Sequence, residues 1–334
     1  MSNPVLAEVT RGNLVESVHE GVVAVVDADG RTVLELGDAD RPVFPRSAVK
    51  ALQALPLMES GAADRFGLTP AEIALACSSH SGEPLHAETA AAMLAKAGRD
   101  AGCLECGAHW PLGEAATREL ARSGERPTAL HNNCSGKHAG FVCLACGLGE
   151  DPAGYVGPDH RVQREVRAAM EEMTGENLSE AARGVDGCSI PTYATPLRGL
   201  ALAFARVGTG HGVGRERAAA LARIRAAAAA HPFMVAGTGR FDTEMMGLFG
   251  ERVFCKTGAE GVYCAALPEV GLGIALKCLD GHGRAAQVML AALVRRFLPL
   301  SEPESTRLEA LSHPALVNWN GIRVGGVRPA GPLA

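Results

Sequence analysis

The sequence predicts an α/β (α+β) protein: an antiparallel sheet with flanking helices, built from both ends of the chain, plus a mainly helical lobe. Three observations predict it. Residues 1–45 and 235–334 carry β-branched, apolar runs bounded by glycine turns, which assigns them to one α/β lobe. Residues 46–234 carry alanine-rich, amphipathic stretches with capping signals, which assigns them to the helical lobe. A length of 334 residues accommodates both lobes in one catalytic unit with a substantial core.

Residues 19–27 (HEGVVAVVD) read as a strand, Ala28-Asp29-Gly30 as a turn, and residues 31–36 as the returning strand. Pro45 stands where a helix often begins. Thr69-Pro70-Ala71-Glu72 is an N-cap, a first-turn proline and a capping-box glutamate, opening a helix that runs towards Cys77-Ser78-Ser79. Helices are expected over 84–97, ending at Gly98, over 113–122, and over 159–174, ending at Gly175. Another follows at 215–230, after the glycine-rich loop 208–214. Then the period changes: 253–256, 261–267 and 271–279 read as strands, the last two joined by Pro268-Glu269-Val270, and 285–297 as an apolar helix.

Composition narrows the function. Hydrophobic residues make up 47% and charged residues 21%, as in soluble globular chains. Net charge is −5 with no basic tract, which argues against nucleic acid. No uncharged apolar run approaches membrane-spanning length, which argues against a membrane partner. Residues 1–20 hold Glu8, Arg11, Glu16 and Glu20 and no apolar signal core, so a cytoplasmic location is expected. The ten cysteines are then thiols, metal ligands or core residues rather than a disulfide frame.

The chemistry concentrates in short runs. Serine is a weak nucleophile until a base takes its proton, and a neutral lysine three residues on, one helical turn away, can be that base. Ser47-Ala48-Val49-Lys50 has that form in a chain with only five lysines. Lys256-Thr257-Gly258 has the form of the strand element beside the nucleophile in serine acyl-transfer enzymes; its place far downstream of the Ser-x-x-Lys run favours that reading over a surface turn. In Cys77-Ser78-Ser79-His80-Ser81-Gly82 the serines either satisfy backbone groups at a helix end or supply Ser79 as a second serine-lysine couple with Lys256. His131-Asn132-Asn133-Cys134-Ser135-Gly136-Lys137-His138 is the densest polar run. Gly136-Lys137 is not a phosphate loop, because the upstream glycine and the following Ser or Thr are missing. Its thiol, amine and imidazole can hold a metal, with Gly184-Val185-Asp186-Gly187-Cys188 adding a thiol and a carboxylate. Two cysteines are too few for a closed structural site. Cys143 and Cys146 read as core packing, and Cys103 and Cys106 are left open.

Together these runs resemble the class 3 (rhizobial-type, asparaginase II) L-asparaginases. The likeness also takes in Pro45-Arg46, Cys106-Gly107-Ala108-His109-Trp110-Pro111 and Arg240-Phe241-Asp242-Thr243, runs in the family's order and covers most of the chain. It implies a fold similar to serine β-lactamases and serine-dependent glutaminases, and a homodimer. It implies a hydrolase acting on a linear amide, releasing L-aspartate and ammonia from L-asparagine through a serine acyl-enzyme. Ser47 with Lys50, and Ser79 with Lys256, are the implied catalytic couples. Cys134, Lys137 and Cys188 are the implied zinc ligands. Arg46, His138 and Asp186 are expected at the substrate. The rival readings are a glutaminase, a penicillin-interacting acyl-transfer enzyme and a non-enzymatic zinc regulator.

Overall fold

A computed structural model describes residues 3–334. The chain divides into two compact units. The first comprises the chain up to Ala48, Thr195–Gly212 and Arg252–Ala334. The second comprises Val49–Ala194 and Val213–Glu251.

The first unit is built on an antiparallel sheet, and the protein is a mixed α/β fold. Its strands lie in the order Ala315–Val317, Arg323–Pro329, Val5–Arg11, Leu14–Asp27, Leu272–Cys278, Val262–Leu267, Phe254–Thr257, with Thr32–Leu36 also pairing with Leu14–Asp27. The expected hairpin is present. Gly30, at φ +82°, closes its turn on the Asp27 carbonyl, and the Asp27 carboxylate accepts from the Asp29 and Arg31 amides. The strand is longer than the apolar run suggested, starting at Leu14. Its first half carries exposed Leu14, Val15 and Val18 and pairs with Val5–Arg11, so burial alternation is weak there and the sequence signal fades.

Helices cover both faces of this sheet. A Cβ on Gly21 would meet Met289 of the helix Gly283–Phe297, whereas one on Gly273 would meet Ala201 and Ala205 of the helix Leu197–Thr209. Gly21 pairs with Cys278, five residues from Gly273, so the two glycines point to opposite faces. The Gly273 approach is close: the added carbon would lie 1.9 Å from the Ala201 carbonyl oxygen and 2.2 Å from the Ala205 nitrogen, both backbone atoms. Gly273→Ala is expected to lower stability by about 3 kcal/mol or more, because a whole helix has to move. Chemical denaturation measures it; a loss under about 1 kcal/mol would contradict this packing.

The second unit is mainly helical. Pro70–Ala76 starts with the expected capping box, Thr69 Oγ1 accepting from the Glu72 amide and Glu72 accepting from Thr69. Pro84–Lys96, Glu114–Ser123 and Arg215–Ala230 lie within a residue of where they were expected, whereas the helix expected from Asp159 is Arg161–Thr174. At its centre Ser135–Leu148 is buried on every side from Ser135 to Ala145. It lacks an amphipathic stripe because it has no solvent face. Gly136 makes this possible, since a Cβ there would lie 2.4 Å from the Leu75 carbonyl oxygen. This contact brings the start of the central helix against the end of Pro70–Ala76, where the polar runs of the sequence lie. No helix among the described residues is long and apolar enough to cross a membrane.

Candidate functional site

In the helical unit, Lys50 gathers three of the sequence motifs. It is fully buried, on the first turn of the short helix Lys50–Gln53. Its Nζ donates to the Ser78 carbonyl, to Ser79 Oγ at 2.9 Å and to Cys134 Sγ at 3.1 Å. These acceptors are held by backbone bonds: the Ser79 amide donates to Val235 O and the His80 amide to Asn133 O. Much of the polar run 131–138 does the same kind of work. Asn132 Oδ1 accepts from the Cys134 amide, and Asn132 Nδ2 donates to the carbonyls of Cys106 and Gly107. His80 Nδ1 accepts from the Gly82 amide, leaving Nε2–H for Ser135 Oγ at 2.9 Å. Burial and nearby His86 and Lys50 hold His80 well below the usual histidine range, so it is neutral.

Cys134, Lys137 and Cys188 come together behind Lys50. All three are buried, and Lys137 Nζ donates to Cys188 Sγ at 3.0 Å. A hydrogen bond from Cys188, with Lys50 and Lys137 beside it, outweighs burial and pulls Cys134 well below the usual thiol range. The same bond and burial push Cys188 up. The two thiols are therefore coupled through one shared proton, with Cys134 the more acidic of the pair. Burial works against the Lys137 ammonium, but Cys188 and Cys134 more than offset it and raise Lys137. Asp186 contributes to the same field; its carboxylate accepts from the Gly187 amide. His138, one residue on, is fully buried; Nδ1 meets Tyr155 Oη at 2.5 Å, while Nε2 has no partner among the described residues. Burial, Lys137 and Lys50 keep its ring neutral.

The sheet unit carries the remaining positions. Ser47 is half-buried in the 3-10 turn Arg46–Val49, directly after Arg46, whose backbone is left-handed at φ +53°. Lys256 lies fully buried on the edge strand Phe254–Thr257 and donates to Thr257 O at 2.9 Å. Gly258 carries this strand end against the Ser47 turn, since a Cβ on it would meet Pro45 O at 2.5 Å and Ala48 Cβ at 3.3 Å. The Lys-Thr-Gly run is therefore a strand end packed beside Ser47, not a surface turn. Among the described residues, three non-glycine residues have positive φ: Arg46, Ser189 and Glu260. Arg46 adjoins Ser47, Ser189 adjoins Cys188, and Glu260 follows the Lys256-Thr257-Gly258 run by two residues; backbone strain of this kind collects at functional sites.

A model of the L-asparaginase II family matches residues 7–329. The chain belongs to the L-asparaginase II family. It is accordingly a hydrolase of the asparaginase type. No curated protein matches the sequence. Among solved structures, a β-lactamase from Mycobacterium bovis is 15% identical, with 84% of this chain and 95% of that one covered and a TM-score of 0.40.

This asparaginase-family chain also has a donor cluster that the sequence reading did not single out. His19, Cys278 and Asp280 each offer a ligand atom within 4.8 Å of the others, a group that could hold a metal ion. Cys278-Leu279-Asp280-Gly281-His282 carried a signal in its alternating donors. His19 carried none, because only the pairing of the strands Leu14–Asp27 and Leu272–Cys278 brings it there. Of the cysteine pairs, Cys143 is a core residue, its thiol donating to Met93 O, and Cys106 is buried against Ala129 O.

Proposed function

We propose that the protein hydrolyses the side-chain amide of L-asparagine to L-aspartate and ammonia. The observation that carries this reading, beside family membership, is Lys50: a fully buried lysine three residues after Ser47 whose Nζ bonds to Ser79 Oγ. In the proposed reaction Ser47 Oγ attacks the amide carbonyl, and Lys50 in its free-base form accepts the serine proton. Ser79 and Lys256 form the second couple, which delivers a proton to the leaving ammonia. Water then attacks the aspartyl ester and regenerates Ser47. Strain at Arg46 supports a fixed orientation for the nucleophile, and amides at the start of the Ser47 turn are candidates for holding the oxyanion.

Cys134, Lys137 and Cys188 fit zinc: two thiols and an amine, buried and mutually hydrogen-bonded, are a soft-to-borderline donor set. Binding there requires both sulfurs as thiolates and the Lys137 amine without its extra proton. Zinc held there would supply an open coordination position that orients the amino-acid end of the substrate, and its two thiolates would make it a weak Lewis acid. Asp186, Arg46 and the unpartnered Nε2 of His138 complete the proposed recognition of that end.

Ammonia release with asparagine and with glutamine tests the reading. One methylene is worth about 1–3 kcal/mol, so kcat/KM for asparagine is expected to exceed that for glutamine by about 10- to 200-fold. Release from neither substrate, or preference for glutamine, would overturn it.

A further inference from the structure

We propose that His19, Cys278 and Asp280 form a second metal site, within the sheet unit, that takes zinc and cross-links two strands far apart in sequence. Strand register creates the site. Cys278 pairs with Gly21, and the Leu279 amide donates to Glu20 O, so Asp280 arrives opposite His19. Gly21 and His19, two residues apart, share the face on which Cys278 lies. The Asp280 carboxylate then spans the other two donors: Oδ2 meets His19 Nδ1 at 2.5 Å, and Oδ1 accepts from Cys278 Sγ at 2.9 Å. The loop is pinned in this shape, since Oδ1 also accepts from the His282 amide.

Three features point to a cation rather than a hydrogen-bonded triad alone. The donors are one imidazole, one thiol and one carboxylate, a set that suits zinc and not calcium or magnesium. His19 is 3% exposed and Cys278 0%, so both donors are held out of water in the positions the strand pairing gives them. The Asp280 side chain is 47% exposed, which leaves a path for the ion. Zinc bonds of about 2.0–2.3 Å place tetrahedral donors roughly 3.3–3.8 Å apart. The present spacings of 2.5 and 2.9 Å therefore open by about an ångström as the metal replaces the two shared protons. The chain between His19 and Cys278 becomes one closed loop when the ion is bound, so the effect expected is stabilisation rather than catalysis.

The full chain carrying Cys134→Ser and Cys188→Ser isolates this site from the other thiol pair. Titrated with cobalt(II), it is expected to bind one equivalent with a thiolate-to-cobalt absorption band, and adding Cys278→Ser is expected to abolish the band. Absence of the band, or its survival without Cys278, overturns the proposal. Should the multiple variant not fold, the wild-type chain decides: Asp280→Asn, at a half-exposed side chain, is expected to lower zinc content at saturation by one equivalent and to remove part of the zinc-induced rise in melting temperature. Unchanged zinc content overturns the proposal.

Discussion

Ser47→Ala is expected to lower asparagine turnover by about four to six orders of magnitude, the scale seen when an acyl-transfer nucleophile is removed. Stability is expected to change by less than about 1 kcal/mol, because Ser47 is half-buried in a 3-10 turn and the change deletes one hydroxyl. The contrast with Ser79→Ala makes the test specific. Ser79 is buried and accepts from Lys50, so its loss removes one of the three hydrogen-bond acceptors around Lys50 Nζ. A smaller fall in kcat, on the general acid-base scale of about 10²–10⁴, is expected there. Acyl-enzyme trapped by acid quench and mapped by peptide mass should carry the aspartyl group on Ser47. An acylated Ser79, or near-normal turnover by Ser47→Ala, would reverse the assignment of the nucleophile.

What the sequence could and could not disclose follows from how local each signal is. The capping box at Thr69 and Glu72 and the turn at Gly30 depend on neighbours within a few residues, and both stand as read. Helix ends at Ala97 and Gly175 were legible for the same reason, while the helix expected from Asp159 begins at Arg161, with His160 as its cap. The strands Val5–Arg11, Ala315–Val317 and Arg323–Pro329 carry weak sequence signals because they mix exposed or half-buried with buried positions. At the site, the residue types and their order were visible, but the partnerships were not. Lys50 meets Cys134 from 84 residues away, a contact that depends on Gly136 seating one helix against another. The cluster of His19 with Cys278 and Asp280 depends on strand register alone, so no spacing rule could reach it.

Lys137 separates charge from ligation. As an ammonium it shares the field of the Cys134 thiolate and donates to Cys188; as a zinc ligand it must be a free amine. Lys137→Met removes both roles. It deprives a buried thiolate of one of its two cations, and breaking such a pair costs about 3–5 kcal/mol when the remaining charge has no escape. Cys134 does have one, because it can take a proton, so the expected loss is smaller, about 1–3 kcal/mol, and Cys134 titrates higher than in the wild type. Lys137→Arg keeps the positive charge but cannot shed its proton to bind a metal. Its stability should therefore lie closer to wild type, apart from any strain of fitting a guanidinium at a position only 2% exposed. If Lys137 ligates zinc, both variants lose the same equivalent of metal and both raise KM for asparagine, whatever their melting temperatures. Should Lys137→Arg hold its zinc and its KM while Lys137→Met does not, the lysine acts through charge alone, and the two thiols must hold the ion with a ligand other than residue 137.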